Sequence, residues 1–429
     1  MSYTFRAHPA RIAKKTGRAV LRSLLNAVRR TLLAGMSARD WQRARSAPPP
    51  SDRQIRILLL HANGMGGTIR TVYNLAGHLA RTHDVEVVSV VRAREKPFFP
   101  IPPGVRVRYL DDRVSGRKGF LSRIPGVLVP REEAASDSFT LAAEIKLIRY
   151  IRSRREGILI STRPALNLLT ALFAPPEVVT VGQEHLNLAS HKKPIRRQIV
   201  RRYGKLDALV TLTETDLVAY DAALLSKPKV LTQMPNAVTA LNGGISPLTG
   251  KTAITVGRLT HAKGHDLLIR TWVHVAARHP DWTMRIFGSG RKRDKLLTSI
   301  EEHGLIGKVV LEGAATDVGS EMAKASMFVL SSRLEGMPMV LLEAMSKGLP
   351  VVSFNCPTGP AELITSGHDG LVVDMGDVEA LADAICAVIE DQSLRDTLGA
   401  HAVKTAAGYD MEIIGKRWED LLASLVQPR

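Results

Sequence analysis

"MFVLSSRLEGMPMVLLEAMSKGLPVVSF", Met327–Phe354, is the stretch whose reading decides the fold. It begins with the apolar run Met327–Leu330 and ends with another, Val351–Phe354. Short apolar runs of this kind suit strands buried in a parallel sheet. Leu341–Lys347 between them reads as a helix, and Glu335-Gly336-Met337-Pro338 breaks any helix before it. The loop Ser331–Pro338 therefore lies beyond the carboxyl edge of a strand. Pro338 suits the first turn of the helix, where its missing N–H is not needed. The backbone N–H groups of Gly336 and Met337 are then expected to face a cleft, next to a helix N-terminus that favours phosphate. Glu335 in the loop can accept hydrogen bonds from sugar hydroxyls. Glu343, eight positions later on the helix, can take both hydroxyls of a ribose. Taken alone, two acids at this spacing are equally a surface pair.

Working outward, the same alternation fills the chain. On the N-terminal side, strands are expected at Ile55–Leu60, Val85–Val91, Val105–Leu110, Gly157–Ile160, Val178–Val181, Ala208–Leu212 and Val230–Met234. Helices are expected at Ile69–Arg81, Ser138–Arg154, Leu166–Phe173, Ile195–Tyr203 and Thr213–Leu224, while residues 111–135 show no clear period. "NAVTALNGGISPLTG", Asn236–Gly250, has the Asn, Gly, Ser and Pro content of an interdomain linker. The alternation then restarts, with strands at Ala253–Val256, Thr283–Phe287 and Val309–Leu311 before the quoted stretch. Helices at Gly264–Ala277, Lys292–His303, Val378–Glu390, Leu394–Ala407 and Met411–Leu425 complete it. The pattern predicts an α/β protein of two doubly wound Rossmann-like domains with a cleft between them, where the carboxyl ends of strands bind ligands. The expected divisions are a basic arm and linker over 1–52, an N-terminal domain over 53–238, and a nucleotide-binding domain over 239–408. A final helix over 409–429 is expected to pack back on the N-terminal domain.

Composition agrees with a folded protein in a reducing compartment. Of 429 residues, 45% are apolar and 23% charged, and Cys356 and Cys386 resemble no disulfide or metal framework. The net charge is +18, of which residues 1–50 supply +10, from eleven Lys/Arg against Asp40. Within that arm Val20, Leu21, Leu24, Leu25, Val28, Leu32 and Leu33 recur at roughly helical spacing among arginines. Such a helix can lie in a membrane interface held by anionic lipid heads, and a solvated basic tail fits equally well. The arginines argue against a secretory signal peptide, and an organelle presequence stays open. Residues 1–36 are thus a candidate contact for an anionic membrane surface. "HKKPIRRQIVRRYGK", His191–Lys205, carries seven cations and no acid, with Arg197 and Arg201 on one helix face. It reads either as a solvated face or as a contact for phosphates of an anionic acceptor or membrane. With only 5% aromatic residues and no reader motif, nucleic acid is not an expected partner.

Further loops bear chemistry. "VGRLTHAKGHDLLI" places Gly257, Arg258 and Lys263 between a strand and a helix, and two cations there could neutralise a diphosphate leaving group. "IFGSG" puts Gly288 in a turn after a strand. "NGMGGTIR" holds Gly64, Gly66 and Gly67, which let backbone approach a phosphate or sugar closely. Ile69 spoils a dinucleotide fingerprint, and Arg92 and Arg94 stand where NAD would need an early acid, although an NADP phosphate could use arginine. "VGQEHLNL" ends a strand with Glu184 and His185.

These stretches together resemble family 4 of the retaining glycosyltransferases, which have the GT-B fold. Glu335 and Glu343 match its Glu-x7-Glu motif, Arg258 and Lys263 its diphosphate pair, and Gly66-Gly67 its turn beside acceptor and donor phosphates. "NCPTGPAELITSGHDGLVV" and "ADAICAVIEDQSLRDTLGAHA" are similar too, so the resemblance covers about 53–425. It implies that Arg258, Lys263, Glu335 and His185 act in catalysis, His185 by contacting the transferred sugar. It implies that Gly66, Gly67, Gly257, Gly288, Gly336, Met337, Pro338 and Glu343 hold the donor. Neither a metal nor a cofactor is implied, only a nucleotide-diphosphate sugar as donor, with UDP a family-level expectation. The subgroup it looks most like builds capsular, lipid-linked or teichoic polymers. That implies a glycan, lipid-linked or anionic polymer acceptor and a cytoplasmic site, peripheral on the inner face of the plasma membrane if the arm binds there. A UDP-sugar 2-epimerase, an NADP-linked oxidoreductase and a non-catalytic glycan or membrane adaptor are the alternatives. The acid pair, the spoiled fingerprint and the intact set of charged residues speak against each in turn.

Overall fold

A computed structural model describes residues 53–115 and 119–426; the basic arm and its candidate membrane contact lie outside the described residues. Among the described residues thirteen strands build two parallel sheets. The first contains β1 (Gln54–Leu59), β2 (Asp84–Arg92), β3 (Arg106–Asp112), β4 (Ile158–Ser161), β5 (Val179–Gln183), β6 (Ala208–Thr211) and β7 (Val230–Gln233). The second contains β8 (Thr252–Val256), β9 (Thr283–Phe287), β10 (Val309–Gly313), β11 (Met327–Leu330), β12 (Val351–Asn355) and β13 (Gly370–Asp374). Their orders are β3-β2-β1-β4-β5-β6-β7 and β10-β9-β8-β11-β12-β13, all neighbours parallel.

Each order reverses direction once, between β1 and β4 in the first sheet and between β8 and β11 in the second. Chains leaving neighbouring strands at such a point diverge to opposite faces and open a crevice at the carboxyl edge. The loops after β1, β8 and β11 carry Gly66-Gly67, Arg258 to Lys263, and Glu335 to Pro338. The topology thus explains why those three loops, far apart in sequence, can share one cleft.

Several elements differ from the sequence reading. β13 was not expected: Gly370–Asp374 follows a glycine-rich stretch, and only pairing with β12 extends it. Short helices at Val318–Ala323 and Pro360–Leu363 are too brief to show a helical period. The helix expected from Ser138 starts at Leu141, because the Thr140 side chain caps it by accepting from Ala143 N–H. Pro338 is the residue preceding Met339–Met345 and not part of its first turn.

The helix Met411–Val426 follows the second-sheet elements in the chain yet buries Ile414, Trp418, Leu421 and Leu422 in the core of the first sheet. There they join Ile55, Ile57, Val85 and Val87 of β1 and β2, and Val72 and Leu79 of the helix Gly67–Leu79. The chain therefore crosses between lobes twice, once near Asn236 and again before Met411.

Candidate active site

Gly264 sets the position of Lys263. Its φ is +63°, and a Cβ there would lie 1.9 Å from the Ser331 carbonyl oxygen, so only glycine lets the loop after β8 dock on the exit of β11. Ser331 Oγ donates to the Lys263 carbonyl at 3.1 Å, and Arg333 N–H donates to the Ala262 carbonyl at 2.7 Å. The Arg333 guanidinium grips Asp266 with bonds of 2.7 and 2.6 Å, which holds that carboxyl below its usual range. Across this seam Lys263 Nζ donates to Glu335 Oε1 at 2.6 Å, and Ser332 Oγ donates to the same oxygen at 2.5 Å. Two of the expected site residues are thus in direct contact, as an ion pair. Arg258 lies exposed on the same loop, and the Lys263 stem runs alongside Gly257.

The Glu335 loop is fixed from the other side by the segment after β12. Glu335 N–H donates to the Pro357 carbonyl at 3.0 Å and Thr358 N–H donates back to the Glu335 carbonyl at 3.1 Å. Thr358 Oγ1 donates to the Gly336 carbonyl at 3.1 Å. Cys356 is buried beneath, and burial, with the Glu335 charge beside it, pushes its thiol up to about 12.

His185 meets this loop from the first lobe. A Cβ on Gly336 would lie 2.6 Å from the His185 carbonyl oxygen, so glycine there lets the two lobes approach closely. Asn187 Nδ2 donates across to the Glu335 carbonyl at 3.3 Å. The His185 residue is half-buried, but its Nε2 is out of water and without a hydrogen-bond partner. Burial lowers the imidazole to about 4, so it is neutral at physiological pH. Its neighbour Glu184 points away into the N-terminal core. There it accepts from Asn167 Nδ2 at 2.8 Å and from the Tyr203 hydroxyl, as a structural group.

Glu343 is not an open acid. It is buried, and Arg70 Nη1 donates to its Oε1 at 2.7 Å from the helix Gly67–Leu79 of the other lobe. Burial raises the Glu343 carboxyl and the Arg70 charge opposes the rise. Arg70 is the site residue that sequence reading missed. The only signal was a cation one turn after Gly66-Gly67, the interval that places it over the start of that helix.

The glycines fall into two kinds. Gly288 has φ +150° and a Cβ there would overlap the Gly257 carbonyl at 1.8 Å, so packing requires it. Gly67 is different: a Cβ there would meet nothing within 4 Å, and the preceding Gly66 has extended backbone. No side chain caps the helix that starts at Gly67. Among the described residues nothing requires glycine at 67. Met337 is buried, and its Sδ accepts from Asn236 N–H at 3.3 Å, where the chain crosses between lobes.

With this geometry in place, the chain can be compared with known proteins. Residues 243–405 match the family model of glycosyl transferases group 1. The two-lobed architecture is the GT-B glycosyltransferase fold: HepE from Anabaena, solved in complex with UDP and glucose, superposes with a TM-score of 0.69 at 19% identity, covering 87% of this chain and 100% of that one. An exopolysaccharide phosphotransferase of Streptomyces coelicolor (strain ATCC BAA-471 / A3(2) / M145) is 36% identical over 391 residues, 88% of this chain. This chain spans only 41% of that relative's length. The amylovoran biosynthesis glycosyltransferase AmsD of Erwinia amylovora is 25% identical over 389 residues, 86% of this chain and 99% of its own.

Proposed function

We propose that this protein is a family 4, retaining hexosyltransferase. It moves a hexose from a nucleotide-diphosphate sugar, a UDP-sugar by preference, to a hydroxyl of a cell-envelope glycan, lipid-linked or polyol-phosphate acceptor. The observation that carries the reading is the Lys263–Glu335 pair, held at 2.6 Å where the loops of β8 and β11 meet and faced by His185. A cation and an acid held together at the carboxyl edge of a switch point suit the two ends of a sugar diphosphate. The diphosphate draws Lys263, and the released Glu335 carboxylate accepts from sugar hydroxyls. The group 1 glycosyl transferase match over this lobe and the name of the amylovoran biosynthesis glycosyltransferase support the same class.

In the reaction the bond from the anomeric carbon to the diphosphate oxygen breaks, and its electron pair goes to that oxygen. The acceptor hydroxyl oxygen bonds to the anomeric carbon on the same face and gives its proton to the departing diphosphate, so configuration is kept. Charge on the leaving group grows along this path, so Lys263, Arg258 and the N–H groups at Gly67 stabilise the transition state more than the ground state. His185, neutral at working pH, contacts a hydroxyl of the transferred sugar. Glu343 holds the ribose once Arg70 gives way. Neither metal nor cofactor takes part in this scheme. Among the described residues no helix is long and apolar enough to cross a membrane. Contact with an anionic membrane on the cytoplasmic side is proposed for residues 1–36 from their sequence alone.

The test is a thermal-shift screen with UDP-, GDP- and ADP-sugars, followed by NMR of the anomeric centre in the product. A ligand at a hundredfold excess over its Kd stabilises the fold by about 2.7 kcal/mol. A shift with UDP-sugars and a product of unchanged anomeric configuration are expected. No shift with any of the three donors, or an inverted product, rejects the reading.

A further inference from the structure

Between Lys192 and Lys205 stand seven cations, Lys192, Lys193, Arg196, Arg197, Arg201, Arg202 and Lys205, and no acid. The side chain of none of the seven makes a hydrogen bond or ion pair with another described residue. Asp207, the acid next along the chain, is taken by Lys229 at 2.5 Å. The helix Lys193–Arg202 buries Ile195 and Ile199, which turns Lys193, Arg197 and Arg201 to solvent. Recurring every four residues, these three form one gently winding stripe about 12 Å long. Lys192 and Lys205, both exposed, extend it at either end.

Arg201 and Arg202 suit the last turn of the helix, but the remaining cations are not called for by the described fold. Like charges four apart on a helix repel, and cations in the first turn oppose the helix dipole. That first turn contains no acid to relieve them. The cost is accepted on one lobe only. Residues 53–238 hold 29 Lys/Arg against 16 Asp/Glu, whereas residues 239–429 hold 19 against 23. The lobe proposed to grip the diphosphate is therefore net acidic, and the excess of positive charge lies on the acceptor side.

Location supplies the remaining link. The stripe begins directly after the loop that carries His185, whose Asn187 side chain touches the Glu335 carbonyl. A charged track thus starts beside the cleft and leads away from it along the surface. A narrow line of charge suits a linear polyanion better than a flat bilayer. We propose that Lys193, Arg197 and Arg201 form a subsite for an extended acceptor with repeating phosphodiesters, holding the chain while its end or a side hydroxyl enters the cleft. This rests on the acceptor-side assignment of the first lobe.

The test measures binding, not transfer, so that it succeeds or fails apart from the sugar-transfer reading. A fluorescent glycerol-phosphate oligomer is titrated by anisotropy with the full chain at several salt concentrations. One variant combines Lys193→Gln, Arg197→Gln and Arg201→Gln. A charge-matched control combines Lys251→Gln, Lys324→Gln and Lys416→Gln, exposed lysines already paired with Asp281, Glu321 and Asp420. The basic arm is common to all three proteins. The helix variant is expected to bind about tenfold more weakly or worse, with a salt slope flatter by roughly one unit per cation removed. Its Tm should equal or exceed that of the unaltered chain, and its thermal shift with UDP should persist, which separates lost binding from misfolding. The control should bind within about twofold of the unaltered chain, and uncharged dextran should not compete. Phosphatidylglycerol vesicles are titrated in parallel, and equal weakening in both variants, no weakening in the helix variant, or a loss confined to the vesicles each overturns the proposal.

Discussion

Lys263 and Glu343 show how one site can hold charges with opposite consequences for stability. Lys263 pairs with a Glu335 side chain that is itself only 9% exposed, so Lys263→Ala should lower Tm, though Ser332 Oγ still donates to the carboxylate it leaves behind. Transfer should fall by about 2–4 kcal/mol in transition-state terms, the scale of losing one oxyanion donor. Steady-state kinetics check this, and a Lys263→Ala enzyme with unaltered kcat/KM would exclude the leaving-group role. Glu343 behaves differently because burial raises its carboxyl above the unfolded value. An acid shifted upward supports the fold fully below its unfolded pKa, and that support is lost as pH rises through the folded value. Glu343→Gln should therefore gain in Tm relative to the unaltered chain as pH rises above the ordinary carboxylate range, while UDP binding weakens. Melting curves across pH decide it, and a Gln variant that becomes relatively less stable with rising pH contradicts the sign. At this scale Lys263, Glu335 and Glu343 could be singled out as candidates because their spacing survives in one dimension. That Glu335 already holds Lys263, and Glu343 already holds Arg70, was not legible, since partners 72 and 273 residues away are fixed only by the fold.

The elements divide along the same line. Thr283–Phe287, Met327–Leu330 and Val378–Glu390 were readable to the residue, because each is apolar at a clear period and bounded by turn residues. β13 was not, because Gly370–Asp374 becomes a strand only beside Val351–Asn355. Sheet order was hidden as well, and with it the reason why loops after β1, β8 and β11 converge. Two loop glycines test whether convergence and ligand contact are separate demands. Gly264→Ala forces a side chain into left-handed backbone and onto the Ser331 carbonyl. The backbone strain alone is about 1–3 kcal/mol, so Tm should fall and the Lys263–Glu335 seam should loosen. Gly67→Ala meets no protein atom, so Tm should hold or rise slightly as helix propensity improves. If Gly67 exists for a phosphate, nucleotide affinity should nevertheless drop. Calorimetry with UDP alongside melting curves reads both effects, and a Gly67→Ala protein that binds UDP unchanged would remove the loop from the donor site.

For the whole molecule, the question is what keeps two lobes together with an acid buried between them. The contacts named across the cleft are chiefly polar: Arg70 to Glu343, Asn74 Nδ2 to Thr239 Oγ1 at 2.5 Å, and Asn187 to Glu335. Glu362 accepts from Glu214 N–H and Thr215 N–H at 2.7 and 3.0 Å, placing its charge at the start of the helix Glu214–Ala223. Polar interfaces of this kind open more readily than apolar ones, which suits the proposed transfer, in which a donor enters the cleft and a nucleotide leaves it. Arg70→Ala would leave the Glu343 charge buried and unpaired, a cost of about 3–5 kcal/mol if the lobes stayed closed. Opening to hydrate the carboxylate relieves that cost. The expected outcome is a larger radius of gyration by small-angle scattering and a broader, earlier melt. Adding Glu343→Gln to Arg70→Ala removes the buried charge, so the double variant should close again and recover Tm. Arg70→Lys, which keeps the charge but not the planar fork, should fall between. If Arg70→Ala scatters and melts like the unaltered chain, or if Glu343→Gln fails to rescue it, the pair does not govern closure, and the nucleotide would have no latch to displace.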